Sequence, residues 1–365
     1  MKQQTTHKSR TKVIGTGLFA LDLIMDSEGH LLSYGLGGSA GNVLAILAKF
    51  NWDTVPVTEL GDDPAGNILL QEFTHLNADK SFIQTSSAFR TPVIYQHQLD
   101  ASNSKTHEFS FACPHCGEKR SMTRSTTSVF ETTLPQREPP KVLYLDRATV
   151  MGVELAELYK DKGVLIVFEP SDIGKDPGLF QRALNAAHIV KYADDRLDDL
   201  VSFDTAHISV EICTMGSAGL RFRAPSLGDD WVTLSAYKAP KVVDTAGAGD
   251  WCTAGMIQHL VGDKKPLNIN AINYNQLHKA LRFGQALSAL NCMTVGAQGL
   301  TKAIPLTDIK EQAKRLMNSK VVCELRRKMP EEAVQREFID ELLPKKLRGQ
   351  PNFDVSDDIC CSVLT

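Results

Sequence analysis

Between residues 142 and 213 the sequence repeats one pattern: a short, almost uninterrupted apolar run, then a stretch whose apolar residues return at helical spacing. Val142-Leu143-Tyr144-Leu145 comes before a helical stretch from Gly152 to Lys160, and Val164 to Phe168 before a helix around Leu179 to Ala187. Ile189 to Tyr192 precedes a further helical stretch from Asp194 to Phe203, and Ile208 to Cys213 follows as the next apolar run. A strand apolar on both sides must be covered on both faces, so the pattern predicts an α/β chain with a parallel sheet between layers of helices. Ligands of such sheets bind beyond the carboxyl ends of the strands. Residues 85–133 break the rhythm. Two alternating segments there, Val93 to Leu99 and His107 to Ala112, predict a hairpin outside the main sheet. From about residue 320 the chain is charged at helical spacing, which predicts surface helices followed by a disordered tail.

At 365 residues, 42% hydrophobic and 23% charged, the chain can bury a full core as one large domain or two smaller ones. A net charge of −3 gives no basic field for nucleic acid or an anionic membrane. No apolar run is long enough to span a bilayer, and MKQQTTHKSRTK lacks the apolar stretch of a signal peptide. The expectation is a cytoplasmic protein with neither a nucleic-acid nor a membrane partner. Of eight cysteines, Cys213, Cys252 and Cys292 read as small buried hydrophobes. The Cys360-Cys361 pair has the wrong terminal pattern for prenylation.

"KVVDTAGAGDWCTAGMIQHL" (241–260) sets Gly247, Ala248 and Gly249 between Asp244 and Asp250, and the apolar Met256, Ile257, Leu260 and Val261 after them share one helical face. The small residues therefore stand at a helix N-terminus, where the first amides lack intrahelical partners and negative charge is favoured. Such a turn suits a phosphate or the charge that develops on a transferred phosphoryl group. Asp250 directly behind it would repel phosphate, which makes sense if it takes a proton from an attacking hydroxyl. The plainer alternative is a helix start with an acidic first turn. A second cluster, "YGLGGSAGNVLAILAKF" (34–50), puts Gly37-Gly38 before a helix with Asn42 in its first turn, a side chain able to donate and accept toward hydroxyls.

DTAGAGD (244–250) together with GGSAGN (37–42) resembles the two signatures of the ribokinase, or PfkB, family of carbohydrate and nucleoside kinases. "GLFALD" (17–22) resembles the family's opening strand, "ELGDDPAGN" (59–67) its Gly-Asp-Asp segment, "TMGSAG" (214–219) its nucleotide-side turn, and "ALSALNCMTVGAQG" (286–299) the helix and loop beside the adenine. The similarity runs from about residue 12 to 305 as one kinase domain, with 306–365 as a helical extension and tail. It implies a three-layer α/β/α sandwich with a small β-sheet lid drawn from about 18–36 and 90–125. It further implies an ATP-dependent kinase acting on a sugar, sugar acid or nucleoside, and a homodimer through the lid. Asp250 would be the base, with Gly247, Ala248 and Gly249 as the anion turn. Asp22, Gly37, Gly38 and Asn42 would hold the acceptor; Thr214, Gly216, Gly219, Ala246, Gly296 and Asp194 would serve ATP and magnesium. Asp244 would serve a potassium loop, as in several members.

The chain also departs from the family pattern. Where members carry Asn-x-x-Glu, it reads Ala193-Asp194-Asp195-Arg196, so Asp194 or Asp195 would hold water around magnesium and Arg196 would meet a phosphate. In "FEPSD" (168–172) Glu169 keeps the family's acid and Ser171 replaces its Asn. The lost motif motivates a second reading, a nucleotide- or sugar-binding regulator on a kinase fold. Cys113-Pro-His-Cys116-Gly has no counterpart in familiar members and sets the chain apart from a plain ribokinase or fructokinase. Its spacing suits half of a zinc site, with His97, His107, His115 or a partner subunit's knuckle completing it. Reduced thiols or a reversible disulfide are the alternatives.

Overall fold

In chain order the strands and helices are β1 (Lys12–Thr16), β2 (Ala20–Met25), β3 (Leu31–Gly37), α1 (Ser39–Lys49), β4 (Asp53–Gly61), α2 (Pro64–His75), β5 (Ile83–Ser86), β6 (Val93–Gln98), β7 (His107–Ser110) and β8 (Val142–Leu145). There follow α3 (Val150–Lys160), β9 (Leu165–Phe168), α4 (Pro177–Ala186), β10 (Ile189–Ala193), β11 (Val210–Thr214), β12 (Leu220–Arg223), β13 (Val232–Leu234), α5 (Ala248–Val261), α6 (Tyr274–Asn291), α7 (Gly299–Ala303) and α8 (Leu306–Met317). The computed structural model describes residues 10–99, 105–120, 137–197, 200–228, 230–262 and 267–318.

Among the described residues, nine strands form one sheet in the order β13-β12-β11-β10-β9-β8-β1-β4-β5. It is parallel from β11 to β5, with β12 and β13 antiparallel at one edge. Each parallel strand divides its side chains between two apolar layers, as the two-residue strand period requires. Val13, Val142 and Tyr144 pack into a cluster with α1, α5 and α6; Ile14, Leu143 and Leu145 pack into one with α3 and α4. Helices thus cover both faces, the three-layer α/β/α architecture expected from the near-continuous apolar runs.

A second sheet of four strands, β3-β2-β6-β7, stands apart from the first. Here β2 runs parallel to β6, while β3 and β7 pair antiparallel at the edges, with Gln98 opposite His107. Both of its central strands are buried over most of their length, and its edges carry the exposed Leu32, Phe109 and Phe111.

The helix expected from Asp194 to Phe203 does not form in the described residues, where a turn at 194–196 and a short 3-10 helix at Leu200–Ser202 stand instead. Leu197 and Leu200 are buried but Val201 is exposed, so the apolar stripe is too narrow to dock an α-helix. At the other end of the described chain, α8 lays Ile309, Ala313 and Leu316 into the core beside α6. The surface helices expected from about residue 320, and Cys360-Cys361, lie outside the described residues. No helix among the described residues is long and apolar enough to cross a membrane.

Candidate active site

Gly247 caps α5 in the left-handed region, at φ 71°, and a β-carbon there would stand 2.5 Å from the Ala297 Cα. Only glycine adopts that turn against that backbone without strain. The Ala246 amide donates to the Asp244 carboxylate (3.0 Å) and the Ala248 amide to the Thr245 carbonyl (3.2 Å). The amides of Gly247 and Gly249 make no hydrogen bond among the described residues. Of the expected anion turn Gly247–Ala248–Gly249, the Ala248 amide is thus spent within the turn, and two amides remain at the positive end of the helix.

Asp250, the third residue of α5, is buried, and its Oδ2 accepts a 2.8 Å hydrogen bond from Asn42 Nδ2. Asn42 sits in the first turn of α1 behind Gly38, and its own Oδ1 accepts from Gln298 (3.2 Å). One side-chain contact thus joins the two glycine turns, 208 residues apart in sequence.

Charges from the neighbouring strands converge beneath this point. Lys191, buried in the middle of β10, pairs with Glu169 just past β9. Glu169 also accepts from Thr253 Oγ1 (2.6 Å) and the Tyr144 hydroxyl (3.1 Å). A β-carbon on Gly249 would lie 3.6 Å from Lys191 Nζ, so the ammonium borders the turn with the partnerless amides. Burial and the Glu169 charge push the Asp250 carboxyl well above the usual carboxylate range, against the Asn42 hydrogen bond and the Lys191 charge. Burial would lower Lys191, but Glu169 outweighs it and keeps the amine protonated. Asp146, at the end of β8, accepts from the Leu18 (3.0 Å) and Ala40 (3.2 Å) amides and so fixes the start of α1. Burial lifts its carboxyl to about 6 despite the nearby Arg147.

Among the residues expected to hold the acceptor, Asp22 of β2 faces Gly37, where a β-carbon would fall 1.9 Å from the carboxyl carbon. Asp22 Oδ1 is enclosed and has no hydrogen-bond partner, and burial raises this carboxyl to about 7. An orphaned buried carboxylate oxygen keeps unused capacity for a further hydrogen-bond donor.

Asp194, Thr214, Gly216 and Gly219 gather at the carboxyl ends of β10 and β11, where the Asp194 amide donates to the Thr214 carbonyl (3.0 Å). The Asp194, Asp195 and Arg196 side chains are exposed there. Gly296 is tied instead to Asp244, to which its amide donates at 2.7 Å.

The possible zinc half-site gains no support: Cys113 is buried and Cys116 exposed, at the two ends of a tight turn in which the Gly117 amide donates to the Cys113 carbonyl (2.9 Å). Among the described residues no group of three or more His, Cys, Asp or Glu is placed to hold a metal ion. His107, one of the expected ligands, instead meets Asp244 at 2.8 Å.

Lys191, Asp146, Tyr144 and Thr253 belong to no motif that marks them in the sequence. One signal did exist: a lysine inside the apolar run Ile189-Val190-Lys191-Tyr192 has to find a buried partner.

The family model described as "pfkB family carbohydrate kinase" matches residues 10–303. A fructokinase of Klebsiella pneumoniae is 27% identical over 331 residues, covering 81% of this chain and 97% of its own length. Among solved structures, a Vibrio cholerae fructokinase variant bound to fructose, ADP and potassium aligns with a TM-score of 0.65 at 20% identity, over 84% of this chain and 99% of that one. A Xylella fastidiosa fructokinase with bound ATP aligns at 0.65 with 16% identity, over 83% and 98%.

Proposed function

The chain belongs to the pfkB family of carbohydrate kinases, and on that premise we propose how its residues transfer a phosphoryl group from ATP to a sugar hydroxyl. Its reaction class is phosphotransfer with an alcohol group as acceptor. The acceptor is a sugar bearing a primary hydroxyl, with ketohexoses ahead of nucleosides because fructokinases recur among its relatives.

Asp22, Gly37, Gly38 and Asn42 hold the acceptor, with Asp22 Oδ1 accepting from one of its hydroxyls. Asp250 takes the proton of the attacking hydroxyl, and the oxygen then displaces ADP from the γ-phosphorus in line. The Gly247 and Gly249 amides face the charge that spreads over the phosphoryl oxygens, and Lys191 adds a positive charge from behind the turn. ATP lies along Thr214, Gly216 and Gly219. The exposed Asp194 and Asp195 carboxylates fit a hydrated magnesium ion, which supplies charge neutralisation on the ATP phosphates when bound.

Residues 12–305 act as the kinase domain, and the four-stranded sheet with the 105–120 segment acts as a lid that keeps water from competing as acceptor. The exposed Leu32, Phe109 and Phe111 support a homodimer through that sheet. The composition supports residence in the cytoplasm, away from nucleic acid and membrane.

The Asn42–Asp250 hydrogen bond beside two partnerless helix-end amides carries this reading. The same feature weighs against a regulator that only binds nucleotide: base and anion turn are both retained although Asn-x-x-Glu is lost. ATP consumption against a panel of ketohexoses, aldohexoses, sugar acids and nucleosides tests it. Asp250→Asn is expected to cut turnover by about 10²–10⁴-fold while ATP binding stays unchanged. Tight ATP binding without turnover on the whole panel refutes the kinase reading, and an active Asp250→Asn enzyme refutes the assignment of the base.

A further inference from the structure

Asp244 opens the turn whose amides face the proposed phosphoryl group, and its side chain is wholly enclosed, at 0% exposure. Its Oδ1 accepts from His107 Nδ1 (2.8 Å) and the Ala246 amide (3.0 Å). Its Oδ2 accepts from Gln96 Nε2 (2.6 Å), Gln98 Nε2 (3.1 Å) and the Gly296 amide (2.7 Å). A carboxylate offers about four lone-pair sites, so these N–H groups saturate it. Three of them are side chains of the four-stranded sheet, on β6 and β7; the other two belong to the turn itself and to the late loop. Beside them Thr106 Oγ1 accepts from the Thr245 amide (3.1 Å), a second stitch between the same two segments.

The potassium ion that the resemblance implies at Asp244 does not fit this arrangement. A hard cation needs oxygen atoms turned toward it, and the groups that meet the carboxylate are N–H donors whose positive ends would repel an ion. A buried carboxylate left unpaired is costly, so some group has to neutralise it. In this chain five N–H groups already stabilise its charge by hydrogen bonding.

We propose that Gln96, Gln98 and His107 are positioning residues that take the place of a monovalent cation at Asp244, so that the kinase works without potassium and its anion turn takes shape only when the four-stranded sheet is seated. The proposal rests on the kinase reading above. It carries a consequence that a cation would not: seating of the acceptor-side sheet and formation of the phosphoryl site become one event, because the same three side chains serve both.

The test compares melting temperature and turnover of the full-length protein in potassium, sodium and choline chloride at equal ionic strength. An ion bound only to the folded chain raises the melting temperature by mass action, so an unchanged melting temperature and turnover within about twofold are expected across the three salts. A potassium-specific rise in either quantity overturns the proposal, since it means that the amides turn their oxygens to an ion. Gln96→Leu keeps the bulk and removes a donor; it is expected to lower kcat by about tenfold or more with KM for the sugar little changed. An unchanged kcat, or a loss confined to KM, overturns the positioning role. Absence of turnover with every acceptor and salt would count against the kinase reading, and the melting comparison would still decide the clamp on its own.

Discussion

Asp22→Asn should make the protein more stable and a worse enzyme, and the stability gain should depend on pH in a set way. Burial raises the Asp22 carboxyl from 3.8 to about 7, with no partner on Oδ1 to offset it. Three pKa units at about 1.4 kcal/mol each give about 4 kcal/mol as the full cost of ionising this group in the folded chain. Part of the residue remains open to solvent, and a buried asparagine amide without partners costs about 1–3 kcal/mol of its own, so the net gain at neutral pH is about 1–3 kcal/mol. The folded-state pKa is raised, so below 3.8 the wild type carries its full share of stability from this group. That share is lost as pH rises, by about 1.4 kcal/mol per unit until the pH passes about 7, and is constant above. Chemical denaturation of both proteins at several values between about pH 4 and 8 reads the difference directly. The other raised carboxyls, Asp146 and Asp250, are present in both proteins and cancel. In parallel, replacing a charged acceptor by a neutral one should raise KM for the sugar by about tenfold. A stability difference that does not change with pH would refute the reasoning, because it would mean that the wild-type carboxylate is paired or hydrated.

Activity should fall as pH drops below the raised pKa of Asp250, since the base works only when ionised; the pH–rate profile of kcat/KM reads that limb. Lys191→Met removes the ammonium that favours ionised Asp250, so it should move the limb to higher pH and lower kcat by about 10–100-fold. An unshifted limb would separate Lys191 from the base. Gly247→Ala forces a side chain into a left-handed turn against Ala297, and should cost about 1–3 kcal/mol in a thermal melt together with most of the turnover. A zinc-selective chelator should leave the melting temperature unchanged, since no group of three or more metal ligands gathers among the described residues.

Much of the site could be read before any coordinates. The glycines and Asp250 announce themselves because a helix start combines short-range signals: small residues, an acid in the first turn, then apolar residues at helical spacing. Asn42 was legible for the same reason. Lys191 and Glu169 were harder, since neither their pairing nor its position beneath Gly249 follows from their neighbours in the chain. The knuckle is the opposite case. Two cysteines separated by two residues look like ligands on paper, but among the described residues no group of three or more ligands gathers to hold a metal ion.

By itself the sequence determined the layers. Runs such as Val142 to Leu145 must be buried on both faces, and that demand, a property of each short segment, requires helices above and below a parallel sheet. It also determined where a glycine turn opens a helix, because small residues before an apolar-periodic stretch are local features. What only the tertiary structure decided is which charges meet. Lys191, Glu169 and Asp146 come together through strand adjacency, and Asp244 meets Gln96, Gln98 and His107 through the seating of one sheet on another element. Burial is prescribed residue by residue along the chain, whereas electrostatic partnership depends on distances across it, which exist only once the sheets have taken their order and register.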